Sequence, residues 1–332
     1  MKNFNAVIKN FRTYNKNIKL ASTLILNFKK KISRYGAVGV STDVFGKYWF
    51  FAPNGKVLFK TGNKNDKETR LLNEIVCYKL AKSMGIDCAV YQSAQMDNKE
   101  KTWGVASYNF LQKGEKVVSF AKLLGMQALN IGSIMEDLLS ELMIYQKDDI
   151  KFNYAQIAEG LYKMAIFDLL TFQSDRHLGN ISLIVDDKNR AKLSPLYDNE
   201  YAFFEMSLPF FDPNYYNVED FVDNFFCGDR MMHICKDNKG LGLEKFNEFV
   251  EQIVFMAKSK PKYKKILIDI LKNANLKKVY KELEKQGFVI NQDYKEFTIH
   301  LFDFAKSNLV ERAKQVFISG NSKNLEEKQQ EK

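Results

Sequence analysis

A chain of 332 residues with 45% apolar and 14% aromatic residues can bury one large core or two smaller ones, which excludes a collagen-like, low-complexity or wholly disordered protein. Its formal charge of +10 is concentrated, because residues 1–34 hold nine Lys or Arg and no acid, leaving 41 basic against 40 acidic residues elsewhere. The basic character therefore belongs to an arm and is not good evidence for a DNA-binding domain, so no specific nucleic-acid partner is expected.

That arm, residues 1–32, spaces Phe4, Val7, Ile8 and Phe11, then Leu20, Leu24, Ile25 and Phe28, close to a helical period. Such a basic amphipathic segment can dock on its own domain, and residues 1–34 could also contact an anionic membrane. The run LASTLILNF is interrupted by Asn27 and lacks a small-residue cleavage site, so it does not read as a secretory signal. No apolar run reaches the ~18 residues that a transmembrane helix requires. Cys77, Cys88, Cys227 and Cys235 form no CxxC pair, and three scattered histidines add no zinc-ligand spacing. The cysteines read as reduced thiols of a cytoplasmic protein, an effector without a cleavable signal peptide being included in that reading.

Along the chain, KYWFFAPNGKVLFK at 47–60 holds two β-rich runs around PNG and predicts a hairpin. Residues 69–84 place Leu72, Ile75, Val76, Leu80 and Met84 on one helical stripe, with Gly85 following as the residue past the cap. CAVYQSAQ and TWGVASYNFL predict two antiparallel strands, ending near residue 111. From Lys116 the pattern predicts helices over 117–124, 128–146 and 154–172, the last nearly apolar all round and therefore buried. ISLIVDD and RAKLSPLY flank Asp187-Lys188-Asn189 and predict a short strand pair. Helices are expected again over 219–233, 243–258, 262–274 and 292–319, before a polar, disordered tail at 321–332. The sum is an α+β, two-lobed architecture, with a small β-rich N-lobe at 33–112 carrying one helix and a mainly helical C-lobe at 113–320.

The polar stretch TFQSDRHLGN at 171–180 follows directly on the buried helix. Moving a phosphoryl group calls for a cation to hold phosphates, oxygen ligands to hold magnesium, and a carboxylate to take or orient the proton of the attacking hydroxyl. Those demands are met in order along the chain. Lys60 ends a strand, Glu74 follows on the next helix, Asp175 and Asn180 share a loop, and Asp198 lies in SPLYDNE after a strand pair. Each alone has a bland reading, as a solvated lysine, a surface glutamate or a local backbone cap. Their joint order is what points to chemistry.

NEIVCYKLAKSMGI, FDLLTFQSDRHLGNISLIV and LSPLYDNEYAFF resemble the HipA-like serine/threonine kinases, in the Asn-Glu opening of the helix, the DRHxxN loop and the P-x-YD motif. WFFAPNGKVLFK and GVASYNFLQKGE are similar to that family's lysine strand and hinge, and the likeness covers about residues 33–205. The resemblance implies a protein-kinase-like fold, with ATP and Mg2+ as cofactors and a Ser or Thr hydroxyl of a protein as acceptor. It implies Asp175 as catalytic base, Asn180 and Asp198 as magnesium ligands, and Lys60 as the phosphate lysine paired with Glu74. Tyr108, Phe110 and Leu111 fall in the hinge that faces adenine, and Arg176 and His177 support the catalytic loop. Gly36 and Gly39 in SRYGAVGVST are the best candidates for a phosphate-facing loop, with Ser33 and Ser41 as candidate autophosphorylation sites. Only about 32 residues precede that loop, so the chain resembles a short, stand-alone member, and an antitoxin-like regulator is an open question. A lipid or small-molecule kinase and a non-catalytic nucleotide-binding pseudokinase remain the alternative readings.

Overall fold

The computed structural model describes residues 24–27, 31–34, 45–52, 55–62, 68–97, 103–124, 150–173, 175–203, 218–225 and 242–330. Four strands come first among the described residues: β1 (Leu24–Asn27), β2 (Lys31–Arg34), β3 (Phe45–Ala52) and β4 (Gly55–Gly62). The expected hairpin is β3–β4. Its pairing runs from Phe45↔Gly62 to Ala52↔Gly55, so two residues connect the strands, as in the tightest hairpins. With β5 (Tyr91–Asp97) and β6 (Trp103–Tyr108) they form a six-stranded sheet in the order β1-β5-β6-β4-β3-β2.

The helical spacing anticipated for the arm is not realised from Leu24 onward. β1 instead pairs parallel with β5, Leu24 opposite Ala94, and β2 pairs antiparallel with β3, so the sheet begins before residue 33. A short apolar run such as LILN does not distinguish helix from strand by periodicity, and an open sheet edge decides it. The remainder of the arm, residues 1–23, lies outside the described residues.

Between β4 and β5 runs α1 (Glu68–Ser83). Its stripe of Leu71, Leu72, Ile75, Val76 and Leu80 is buried, each side chain worth about 1.5–3 kcal/mol when withdrawn from water. The helix ends as the sequence suggests. Gly85 has φ +69, its N–H reaches Lys82 O at 3.3 Å, and the N–H of Ile86 reaches Ala81 O at 2.9 Å, which is the paired bond pattern of a Schellman cap.

The second sheet corrects one expectation. Residues 117–119, read as the start of a helix over 117–124, belong to β7 (Lys116–Ser119), and only α2 (Phe120–Leu124) is helical. The two valines of KVVS favour an extended backbone, and pairing with the later hairpin fixes it. Then come β8 (Lys151–Phe152), α3 (Tyr154–Thr171), β9 (Ser182–Val185) and β10 (Arg190–Leu193), giving the sheet order β7-β9-β10-β8. β9 and β10 are the expected strand pair, turned through Asn189 at φ +56. The helix anticipated over 128–146 lies outside the described residues. α3 is capped by Asn153, whose side chain accepts the Gln156 N–H, and it buries Leu161, Tyr162, Ile166, Phe167 and Leu170 completely.

α4 (Val218–Phe225), α5 (Gly242–Ser259), α6 (Pro261–Asn273), α7 (Leu276–Lys285) and α8 (Gln292–Gln330) complete the chain. α7 was not anticipated, although Asn275 caps it and Leu276, Val279, Tyr280 and Leu283 bury one face at helical spacing. α8 continues beyond the expected end at 319, through residues rich in Lys, Glu and Gln that extend a nucleated helix at little cost. A single apolar cluster runs from α1 through α3 to α8, so both sheets rest on one core. No helix among the described residues is long and apolar enough to cross a membrane.

Candidate active site

β4 places Lys60 opposite Lys47 of β3 and Val105 of β6, in the middle of the large sheet, where it is 2% exposed. Its ammonium is bonded to Glu74 Oε1 from α1 and to Asp198 Oδ1 from the segment after β10, and Glu200 Oε2 lies 3.6 Å away. Burial by itself would pull the Lys60 pKa down. Asp198 and Glu74, with Tyr91 and Glu200, outweigh it and hold the pKa well above the ordinary lysine value. Lys60, Glu74 and Asp198 are therefore brought together, across 14 and 138 positions of chain.

The segment carrying Asp198 is held in an uncommon conformation. Asp198 has φ +59, a left-handed setting that Asp tolerates better than most residues. Its N–H donates to the Tyr91 hydroxyl at 3.3 Å, and the next N–H, of Asn199, donates to Glu74 Oε2 at 2.9 Å. Glu74 thus spends one oxygen on Lys60 and the other on the backbone beside Asp198. The neighbouring Asn73 donates to the carbonyls of Glu200 and Ala202, at 3.1 and 2.9 Å.

Arg176 is the bracket of the loop. It is 1% exposed and donates a parallel pair of bonds to Asp168 of α3, at 3.0 and 3.1 Å. Its Nη1 binds the carbonyls of Asn180 at 3.4 Å and Tyr197 at 2.9 Å, and its Nη2 binds Asn199 Oδ1 at 2.6 Å. One guanidinium nitrogen therefore holds the residue Asn180 and the immediate neighbour of Asp198 together at one end of the β9–β10 hairpin. These bonds make Arg176 a brace of the loop. Burial lifts the Asp168 pKa above the usual carboxylate value, and the adjacent guanidinium pulls it partly back.

Asp175 heads the loop, with its side chain 38% exposed. Its N–H donates to Gln173 Oε1 at 3.2 Å, and Asn180 Nδ2 donates to its carbonyl at 2.9 Å. His177 is a turn-forming residue, whose Nδ1 accepts the Gly179 N–H at 2.9 Å while Nε2 stays 4.0 Å from Asp175. A Cβ at residue 179 would lie 2.7 Å from the His177 ring, so that close approach requires glycine. Leu178–Asn180 forms a 3-10 turn that carries the loop into β9.

The donor set suits magnesium. Glu74, Asp198 and Glu200 bring carboxylate oxygens within 4.8 Å of one another, and Asn180 commits its amide nitrogen to Asp175, leaving its oxygen as an acceptor; these are hard oxygen ligands of the kind magnesium takes. At the expected hinge, Tyr108 pairs with Val57, the Asn109 N–H goes to Lys56 O at 2.9 Å, and the Leu111 N–H to Asn109 Oδ1 at 3.2 Å. The Leu111 amide is thus engaged within its own turn. Phe110 stacks on Tyr197, ring centres 6.2 Å apart, and so ties the hinge to the residue beside Asp198. Ser33, expected in a loop, sits in β2 opposite Trp49, where the sheet's open edge has recruited it. Gly36, Gly39 and Ser41 lie outside the described residues, in the connection from β2 to β3.

Glu200, Asp168, Tyr91 and Asn199 were not singled out from sequence. The signal available was a buried polar residue in an apolar setting, such as Asp168 inside MAIFDLL, which demands a partner elsewhere. Two hollows among the described residues, of about 520 and 300 Å3, flank β10 and α3 and include none of the candidate site residues.

Residues 47–271 match the family model of the HipA-like C-terminal domain. The chain belongs to the HipA-like family. None of the curated proteins compared with this HipA-like chain is similar enough in sequence to count as a match. Among solved structures, the HipA-like chain is similar to the Helicobacter pylori proinflammatory kinase CtkA, with TM-score 0.60 and 15% identity over 90% of this chain and 99% of that one. It is also similar to HipA of Shewanella oneidensis MR-1, solved with HipB and operator DNA, with TM-score 0.43 and 16% identity over 94% and 70% of the two chains. The likeness to CtkA shows the fold, a kinase-like arrangement of a β-rich N-terminal part and a mostly helical C-terminal part.

Proposed function

We propose that this HipA-like chain is a magnesium- and ATP-dependent protein kinase that phosphorylates Ser or Thr hydroxyls. The observation that carries the reading is the meeting of the Lys60 ammonium with Glu74 and Asp198, since a phosphate-holding lysine fixed by a helix carboxylate beside a metal-binding aspartate is what phosphoryl transfer requires. Magnesium-ATP, when bound, supplies the phosphoryl group and the counter-charge that eases its departure. Asn180 and Asp198 would hold the metal through oxygen. Lys60, oriented by Glu74, would exchange part of its contact with Asp198 for phosphate oxygens. Asp175, part-exposed and positioned through its backbone by Gln173 and Asn180, would accept the proton of the incoming hydroxyl as the hydroxyl oxygen bonds to the γ-phosphorus and the bond from that phosphorus to the departing ADP breaks. Arg176 keeps the two loops in register while this happens.

The direct experiment is incubation with radiolabelled ATP, magnesium and a whole-cell lysate, with Asp175→Asn as the blank. Label appearing on proteins with the natural chain and not with the variant supports the reading. Equal labelling by both, or none by either, refutes it.

A further inference from the structure

Asn73, next to Glu74 on α1, is fully buried and makes a three-way junction. It gives one amide hydrogen to the Glu200 carbonyl and the other to the Ala202 carbonyl, at 3.1 and 2.9 Å, and Oδ1 accepts from the Tyr294 hydroxyl. Glu74 meanwhile accepts the Asn199 N–H. Two consecutive residues of one helix thus hold residues 199, 200 and 202, the stretch directly after Asp198.

The orientation of the Asn73 amide decides whether this works. Turned over, it would set its oxygen against two carbonyl oxygens and its nitrogen against Tyr294. The two carbonyls can only accept, so they fix the amide's orientation, and the Tyr294 hydroxyl donates to the Oδ1 that this turns toward it. Tyr294 is itself fixed by the start of α8, where Asn291 Oδ1 accepts its N–H at 2.9 Å, and it lies outside the 47–271 family match.

We propose that Tyr294 is a positioning residue for the loop carrying Asp198, acting through Asn73, so that the C-terminal helix sets the geometry of the magnesium-binding end of the site. The proposal rests on the kinase reading. A buried tyrosine hydroxyl ordinarily only satisfies itself, so the test must separate positioning from packing. Tyr280 supplies the control, because its buried hydroxyl bonds Thr298 Oγ1 at 2.7 Å in the contact between α7 and α8.

The full chain, Tyr294→Phe, Tyr280→Phe and Asn73→Leu are compared by calorimetric titration with a non-hydrolysable ATP analogue at graded Mg2+, alongside their melting temperatures without nucleotide. Tyr294→Phe is expected to raise the Mg2+ needed for half-maximal binding by ~10-fold or more, as loss of a group that orients a metal ligand does. Asn73→Leu should reproduce that shift with Tyr294 still in place, so the proposal stays testable if one variant fails to fold. Tyr280→Phe should lower the melting temperature while leaving the Mg2+ dependence unchanged. The natural Mg2+ dependence in Tyr294→Phe or Asn73→Leu, or an equal shift in Tyr280→Phe, overturns the proposal. Absence of Mg2+-dependent binding in the natural chain instead overturns the kinase reading beneath it.

Discussion

Arg176 and Asp168 form a two-bond ion pair, at 3.0 and 3.1 Å, from which water is wholly excluded. Asp168 is embedded in α3, most of whose residues are buried, so the pair anchors the loop of Asp175 and Asn180 to the core. The rest of the guanidinium reaches Asn180, Tyr197 and Asn199. Removing either partner leaves an uncompensated buried charge. Arg176→Ala is expected to cost about 3–5 kcal/mol of stability. Arg176→Lys should recover only part of that, because an ammonium cannot reproduce the planar fork. Denaturant titration of the three chains checks both statements.

Asp175 and Asp198 have different surroundings, and their substitutions should separate. Asp175→Asn is expected to cut turnover by about 10²-fold or more while nucleotide binding persists, since only the proton acceptor is lost. Asp198→Ala should weaken magnesium-dependent binding itself. Rate measurements paired with calorimetric binding distinguish the two, and identical behaviour would mean that the roles are wrongly assigned.

The raised pKa of Lys60 makes a pH prediction. Folding stabilises the ammonium form, so the stabilisation is complete below the unfolded lysine value, near 10.5, and is lost as pH rises through the higher folded value. Comparing the natural chain with Lys60→Met cancels the lysines they share. The stability difference between them should hold steady from neutral pH up to about 10.4 and change in favour of the variant above it. Denaturation midpoints measured across pH 7 to 11.5 test this, and a flat difference to the top of that range would contradict the direction of the shift.

Gly104 lies beneath Lys60 in β6. A Cβ there would run into the Lys60 backbone carbonyl and sit 2.7 Å from the Phe59 ring. Gly104→Ala must therefore push β4 away from β6, at a cost of about 1–3 kcal/mol, and shift the lysine with it. Weaker nucleotide binding together with a lower melting temperature is the expected result. Wild-type binding in a destabilised variant would show that the strand moves without carrying Lys60.

Much of this arrangement was readable locally. The β3–β4 hairpin, α1 with its glycine stop, α3 and the β9–β10 pair each depend on neighbours a few positions apart, which leave a period or a turn signature. The order of Lys60, Glu74, Asp175, Asn180 and Asp198 was readable from the elements that carry them, although β4 runs on to Gly62, so Lys60 lies within its strand and does not end it, and Glu74 lies within α1. β1 and β7 were not readable, since four-residue runs take the conformation of whatever edge they pair with.

The amino-acid sequence by itself determined which polar groups are available and in what order the chain presents them. Tertiary structure alone decided their partners. The Asn199 amide meets Glu74 across 125 positions, and Tyr294 meets Asn73 across 221. Bonds over such separations form only after the core has closed around them, and they leave no periodic trace along the chain. That is why Asn199 and Tyr294 looked like ordinary residues until the fold set them against Glu74 and Asn73.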